Sequence, residues 1–253
     1  MISPEFFTLI VWSWIGIALL IFPVTLTITA PYGRHSKTNW GPMINNNIAW
    51  VLMEIPSLLV FSFFIIKADR FADKMILIAF MLWVIHYTYR AIIFPIIIKT
   101  KKKKMPVAIM LFAVFFNLIN GFINGYWFGV LSPGYSVGWF SDPRFVFGAL
   151  LFLSGFVINQ YHDKILLSLR KPGETGYKIP KGGLFKFISC PNFFGEIIEW
   201  GGFALMTWCL PSLSFFVWTF ANLVPRAIDH HKWYLQNFDN YPSKRKAVFP
   251  FLF

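Results

Sequence analysis

Residues 106–131 read PVAIMLFAVFFNLINGFINGYWFGVL, a run without one charged side chain. A helix needs about 20 predominantly apolar residues to cross a hydrocarbon core roughly 30 Å thick, and this run exceeds that. Six more stretches of the same character lie on either side of it, at 6–29, 43–66, 74–98, 144–168, 195–212 and 212–236, set apart by charged or Pro/Gly-rich breaks. The pattern predicts an all-α integral membrane protein with seven transmembrane helices in a single membrane domain over 1–253. Composition agrees: 57% of residues are hydrophobic, 20% are aromatic and only 13% are charged, more apolar side chain than a soluble core consumes. The first segment lacks a basic leader and is longer than the apolar core of a cleaved signal peptide, so it is expected to remain as a helix.

The formal net charge of +12 could suggest a nucleic-acid partner, but the charges fall between the spans as topology signals. Arg34, Lys37, the run Lys101–Lys104, the cations between Lys164 and Lys186, and those from Arg226 to Lys246 all belong to one side; Lys67, Arg70, Lys74 and Arg144 belong to the other. The positive-inside rule then puts the C-terminus and the long polar loop in the cytoplasm. Either a bacterial inner membrane or an endoplasmic reticulum membrane satisfies that distribution. Membrane lipids rather than nucleic acid are the expected surroundings, and the chain is expected to act as a monomer.

Between the fifth and sixth spans, residues 170–194 read RKPGETGYKIPKGGLFKFISCPNFF. Its prolines and glycines forbid a long helix, while Tyr177, Ile179, Leu184, Phe185, Phe187 and Ile188 supply apolar anchors. An ordered cytoplasmic loop between helices 5 and 6 is expected, since long irregular segments in compact proteins are commonly functional.

Ionisable groups at membrane depth cost several kcal/mol unless paired or facing a cavity, so each marks a candidate site. Glu54 interrupts the second span and Arg90 the third, with His86 and Tyr87 just before it. Those two charges could form an ion pair between helices, or a site in which the Tyr87 phenol donates to a carbonyl oxygen in a dry cavity. Asn159 and Asp163 share a face of the fifth span, Glu196 and Glu199 a face of the sixth, and Arg226, His230 and Tyr234 form a polar stripe on the seventh. A nucleotide cofactor would satisfy such a stripe, because arginine matches phosphate and amides or carboxylates bind ribose and carboxamide groups. No G-x-G-x-x-G or P-loop motif, no nucleophile elbow and no H-E-x-x-H helix occurs. Cys190 and Cys209 have no metal-ligand spacing, and the His230–His231 pair has no further ligand set around it, so no metal is expected. Gly121, Gly125 and Gly129 recur every fourth residue, the spacing of a close helix-packing stripe.

The stretch INQYHDKILLSLRKPGETGYKIPKGGLFKFISCPNFFGEIIEWGGFALMTW, the tail RAIDHHKWYLQNFDNYPSKRKAVFPFLF, and the short blocks PYGRH at 31–35, MEIPS at 53–57 and HYTYR at 86–90 together resemble the steroid 5α-reductase family of NADPH-dependent membrane enzymes. That resemblance implies a steroid pocket within 1–131, including Trp50 and Met53, and an NADPH-binding region within 144–253. It implies that Glu54 and Tyr87 hold the substrate's 3-oxo group. Asn159, Asp163, Arg170, Tyr177, Asn192, Glu196, Arg226, His230 and Tyr234 would then bind NADPH, with Arg90 near the nicotinamide end and Lys101 a looser basic contact. Met53 stands where testosterone-preferring relatives can carry Gln, and Ile98 where some carry Asn. The implied reaction is reduction of the Δ4 double bond of a 3-oxo-steroid, with hydride added at C5. Reduction of a polyprenol or a trans-2-enoyl thioester is the nearest alternative; a membrane methyltransferase using S-adenosylmethionine and a transporter are more distant ones.

Overall fold

The computed structural model describes residues 2–37, 39–98, 103–169 and 176–252. Helices dominate it: α1 Pro4–Thr27, α2 Asn46–Ala68, α3 Lys74–Ile97, α4 Val107–Leu131, α5 Pro143–Ser168, α6 Pro191–Thr207 and α7 Leu210–Asn237. The first five are each long and apolar enough to cross a membrane. Their outward faces carry large apolar side chains such as Leu20, Phe63, Ile96, Phe112 and Val157, which would be costly against water and are at home against lipid. The chain is a multi-pass membrane protein.

Local chemistry fixes the helix ends. Asn45 accepts hydrogen bonds from the Asn47 and Ile48 amides at the start of α2, and Asp73 does the same for Met75 and Ile76 at the start of α3, satisfying donors that a helix leaves orphaned. α2 stops at Asp69, which takes a left-handed conformation at φ 50°. The break between α6 and α7 falls at Trp208, also left-handed at φ 45°, rather than at residue 212 as the sequence suggested. The run MTWCLPSL has no charged residue to mark a break, and Pro211 sits in the first turn of α7, where its missing N–H has no partner to lose. α3 and α4 each contain a π turn, at Tyr89–Ile93 and Trp127–Leu131. Besides the helices there is a short antiparallel pair, β1 Met43–Asn45 with β2 Lys104–Pro106, in the register Ile44 to Met105. These short strands depart from the all-α expectation.

The described residues gather into two compact units. One comprises Met1–Val11 and Ala30–Asp142, the other Trp12–Thr29 and Pro143–Phe253. In the first, α2 and α4 press together along the glycine stripe. A Cβ added to Gly121 would stand 3.1 Å from the Ser57 carbonyl oxygen, one on Gly125 2.9 Å from the Phe61 Cα, and one on Gly129 2.5 Å from the Phe64 carbonyl oxygen. In the second, α5 and α6 pack as closely. A Cβ on Gly195 would meet the Asn159 backbone nitrogen at 2.5 Å, and Gly148, Gly155 and Gly202 are equally hemmed in by backbone. Here too Trp14 packs against Trp218 with ring centroids 4.6 Å apart and planes tilted by 34°.

Candidate active site

Each unit holds a polar cluster built from residues that the sequence marked. In the first, Arg90 sits in the π turn of α3, a local geometry found often at functional positions. Its Nη2 lies 3.4 Å from Glu54 Oε1 on α2, and the two side chains are only 14% and 13% exposed. The guanidinium also covers Trp50, 4.7 Å from its ring centroid, and approaches Phe94 at 5.4 Å. The ion pair that the sequence offered as one alternative for Glu54 and Arg90 therefore exists.

Tyr87, one turn before Arg90, is 3% exposed. Its hydroxyl donates to Asn117 Oδ1 at 3.4 Å and accepts from Asn120 Nδ2 at 3.5 Å. Asn117 in turn donates through Nδ2 to the Met53 carbonyl at 2.7 Å. That turn of α2 contains Pro56, which has no N–H to give to the helix ladder, and both Asn117 and Trp83 Nε1, which donates to the Ser57 carbonyl at 3.3 Å, supply donors to it from outside. Behind Asn120 stands Asn124, fully buried, whose Nδ2 donates to the Asn120 carbonyl and Oδ1 at 3.1 Å each. The sequence reading missed these three asparagines. Their signal lies in positions 117, 120 and 124, an amide on nearly every turn of an uncharged span.

In the second unit α5 and α6 bring four of the expected residues together. Asn159 Nδ2 donates to the Asn192 carbonyl at 3.0 Å and to Glu196 Oε2 at 3.3 Å, and Asn192 Nδ2 donates to Asp163 Oδ1 at 3.0 Å. Asn159 and Asp163 are almost fully buried. From α7, Arg226 and His230 both approach the Phe193 ring, the guanidinium 5.9 Å and the imidazole 5.7 Å from its centroid. Tyr234 stacks on Tyr241 at 5.0 Å, and Tyr177 meets Trp233 edge-on at 4.9 Å. Lys101 and Arg170 lie outside the described residues. Glu199, expected on the face of Glu196, is fully buried against α5, where its backbone adjoins Gly155.

The loop ahead of α6 is tied to the C-terminal tail. The Ser189 amide donates to the Lys246 carbonyl at 2.8 Å and the Cys190 amide to the Ala247 carbonyl at 3.0 Å. Ser189 Oγ is 2.7 Å from His231 Nδ1 and 2.6 Å from Tyr241 Oη, and Arg245 donates to the Pro180 carbonyl at 3.0 Å.

These features define a class: an α-helical membrane protein with two interior polar clusters, one built around a buried tyrosine and an ion pair, the other around amides and carboxylates. Comparison with known proteins gives the family. Residues 103–253 match the family described as 3-oxo-5-alpha-steroid 4-dehydrogenase. The protein named Steroid 5-alpha-reductase DET2 from Solanum lycopersicum is 41% identical over 255 residues, which cover 99% of this chain and 98% of that protein. The protein of the same name from Gossypium hirsutum is 40% identical over 230 residues, 89% of each chain. The human protein named 3-oxo-5-alpha-steroid 4-dehydrogenase 1 is 37% identical over 240 residues, 94% of this chain and 92% of its own. The chain belongs to the 3-oxo-5-alpha-steroid 4-dehydrogenase family, whose members are oxidoreductases.

Proposed function

We propose that the chain reduces the Δ4 double bond of 3-oxo-steroids to 5α-steroids with NADPH as the reductant. The observation that carries this reading is the Tyr87 hydroxyl, a buried donor held by amides among apolar helices, in a chain whose relatives are named as steroid 5-alpha-reductases.

An enone conjugated to a 3-oxo group is electrophilic at C5 to the extent that charge can withdraw to the oxygen. When the substrate's carbonyl approaches, the Tyr87 hydrogen turns from Asn117 Oδ1 to the 3-oxygen, where a hydrogen bond in a dry site is worth most. Glu54 adds a second donor when it carries a proton; as the carboxylate paired with Arg90 it fixes the guanidinium over Trp50. Trp50 and Met53 supply the apolar wall for the steroid rings. NADPH, when bound, supplies the hydride that C5 receives, and a proton at C4 completes the reduction.

The second cluster suits such a dinucleotide. Asn159, Asp163, Asn192 and Glu196 offer amides and carboxylates to ribose hydroxyls and a carboxamide, Arg226 matches phosphate charge, and Tyr177, His230 and Tyr234 offer rings and donors. Arg170 and Lys101 extend the basic set, and Arg90 serves the nicotinamide end. On this reading α6 and α7 complete a seven-helix bundle in one membrane domain, with the substrate half at 1–131 and the cofactor half at 144–253. The loop before α6 lies on the cytoplasmic side with the C-terminus, and the enzyme works as a monomer.

The test is NADPH consumption by the purified protein with progesterone or testosterone, with Tyr87→Phe and Glu54→Gln beside the parent. Turnover to a 5α-reduced product that both substitutions abolish supports reaction and site together. NADPH binding without turnover would move the substrate to another conjugated lipid, such as a polyprenol or a trans-2-enoyl thioester.

A further inference from the structure

The Tyr87 hydroxyl stands between Asn117, to which it donates, and Asn120, from which it accepts and which Asn124 backs. Each of these amides is oriented by a bond that leaves it no choice. The Met53 carbonyl can only accept, so the Asn117 Nδ2 that approaches it at 2.7 Å must be the donor end, and Asn117 Oδ1 therefore faces Tyr87 as an acceptor. Likewise the Asn120 backbone carbonyl can only accept, which directs Asn124 Nδ2 toward it at 3.1 Å and toward Asn120 Oδ1 at the same distance. With Oδ1 occupied as an acceptor, Asn120 presents Nδ2 to the Tyr87 oxygen at 3.5 Å. The dipoles of Asn124 and Asn120 thus run in one direction, N–H toward the phenol.

We infer that Asn120, backed by Asn124, is a positioning residue that makes Tyr87 a stronger hydrogen-bond donor to the substrate's carbonyl, while Asn117 holds the Tyr87 hydrogen until the substrate takes it. The inference rests on the reading of Tyr87 given above. A hydrogen bond donated into a hydroxyl oxygen draws charge from it and leaves its own hydrogen more acidic, and aligned bonds reinforce one another where water is excluded. Asn120 and Asn124 are 1% and 0% exposed, so no solvent competes. The contacts to Tyr87 are long, at 3.4 and 3.5 Å, and catalytic hydrogen bonds commonly tighten only when the substrate is present. None of the three asparagines is ionisable, so the arrangement adds donor strength without placing another charge beside Glu54 and Arg90.

The experiment has two readouts on the full-length protein in detergent with NADPH or NADP+. The first is kcat for a Δ4-3-oxo-steroid. Asn120→Ala is expected to lower it on the order of tenfold with little change in steroid KM, because the lost interaction belongs to the transition state; Asn124→Ala, one bond further back, is expected to lower it less. The second is the isotope-edited carbonyl stretch of the bound steroid with NADP+. It should lie at higher frequency in Asn120→Ala than in the parent, since a weaker donor polarises the carbonyl less, and it should not respond to Asn120→Ala in a Tyr87→Phe background. Should Asn120→Ala fail to fold, Asn124→Ala carries the same two readouts. A parent-like stretch and kcat in both asparagine variants overturns the inference, as does a shift that persists without Tyr87. Turnover that survives Tyr87→Phe would instead sink the reading of the site and this inference with it, whereas turnover that needs Tyr87 but ignores Asn120 sinks this inference alone.

Discussion

Arg90 Nη2 on α3 and Glu54 Oε1 on α2 are 3.4 Å apart, with both side chains more than four-fifths buried. The pair joins two helices at membrane depth, and it also holds the Arg90 guanidinium against Trp50. Two functions are therefore combined in one contact, and they can be separated by substitution.

Breaking a buried ion pair by removing one partner leaves a charge without its counterpart, which costs about 3 kcal/mol or more, while replacing both partners with apolar residues of similar size costs little. Glu54→Gln and Arg90→Met are each expected to lower the thermal unfolding midpoint in detergent and to lower steroid turnover. The double variant Glu54→Leu with Arg90→Met is expected to regain most of the stability and none of the turnover. Recovery of turnover by the double variant would show that the pair only fastens helices.

The four glycines between α5 and α6 set a second expectation. A methyl group on Gly195 would stand 2.5 Å from the Asn159 backbone nitrogen, and backbone cannot rotate aside as a side chain can. The helices would have to separate. Gly195→Ala is thus expected to destabilise the protein by about 3 kcal/mol, as overpacking of a tight interface does, and to weaken NADPH binding through the displaced Asn159. Measured midpoints and cofactor affinity check both; parent values for each would mean that the interface yields.

Much of this architecture was legible in the sequence, and the reasons differ by element. The five helices from Pro4–Thr27 to Pro143–Ser168 announce themselves because lipid demands long uncharged runs. The turn at Trp208 did not, since no charge marks it and Pro211 reads as a breaker although it begins a helix. Glu54 and Arg90 were conspicuous because charge is expensive in the membrane, and their pairing was one of two readings that sequence could not separate. Asn159, Asp163, Asn192 and Glu196 were named individually, but their mutual hydrogen bonds depend on the glycine-limited approach of α5 to α6. Asn117, Asn120 and Asn124 are legible by their spacing, but an uncharged amide carries less cost in lipid than a charge and so marks a site less sharply than Glu54 or Arg90.

Asn192 occupies a particular position in the second cluster. Its backbone accepts from Asn159 while its side chain donates to Asp163, so it couples two residues on α5 to the first turn of α6. Truncation of the side chain in Asn192→Ala removes the bond to Asp163 and leaves the backbone bond in place. The expected result is a rise in NADPH KM of roughly tenfold, about 1.4 kcal/mol, with steroid KM unchanged. A rise confined to steroid KM would reassign this cluster to the substrate.

The C-terminal tail provides the last prediction. Arg245 is 5% exposed, donates to the Pro180 carbonyl at 3.0 Å and lies 5.1 Å from the Tyr241 ring. Next to it the Lys246 amide donates to the Phe187 carbonyl at 2.9 Å, and Ala247 and Val248 are buried with Cys190, Ile197, Leu223, Val224 and Ala227. The tail therefore straps the loop before α6 to the helices that carry Asn192 and Arg226. Removing the guanidinium leaves a buried carbonyl without that donor, at a cost of about 1–3 kcal/mol. Arg245→Ala is expected to speed proteolytic cleavage between residues 176 and 190 severalfold and to raise NADPH KM. Arg245→Lys, which keeps the charge but loses the planar fork of donors, should fall between the two. Cleavage at the parent rate in Arg245→Ala would mean that the backbone bonds from Ser189 and Cys190 to the tail hold the loop without help from the arginine.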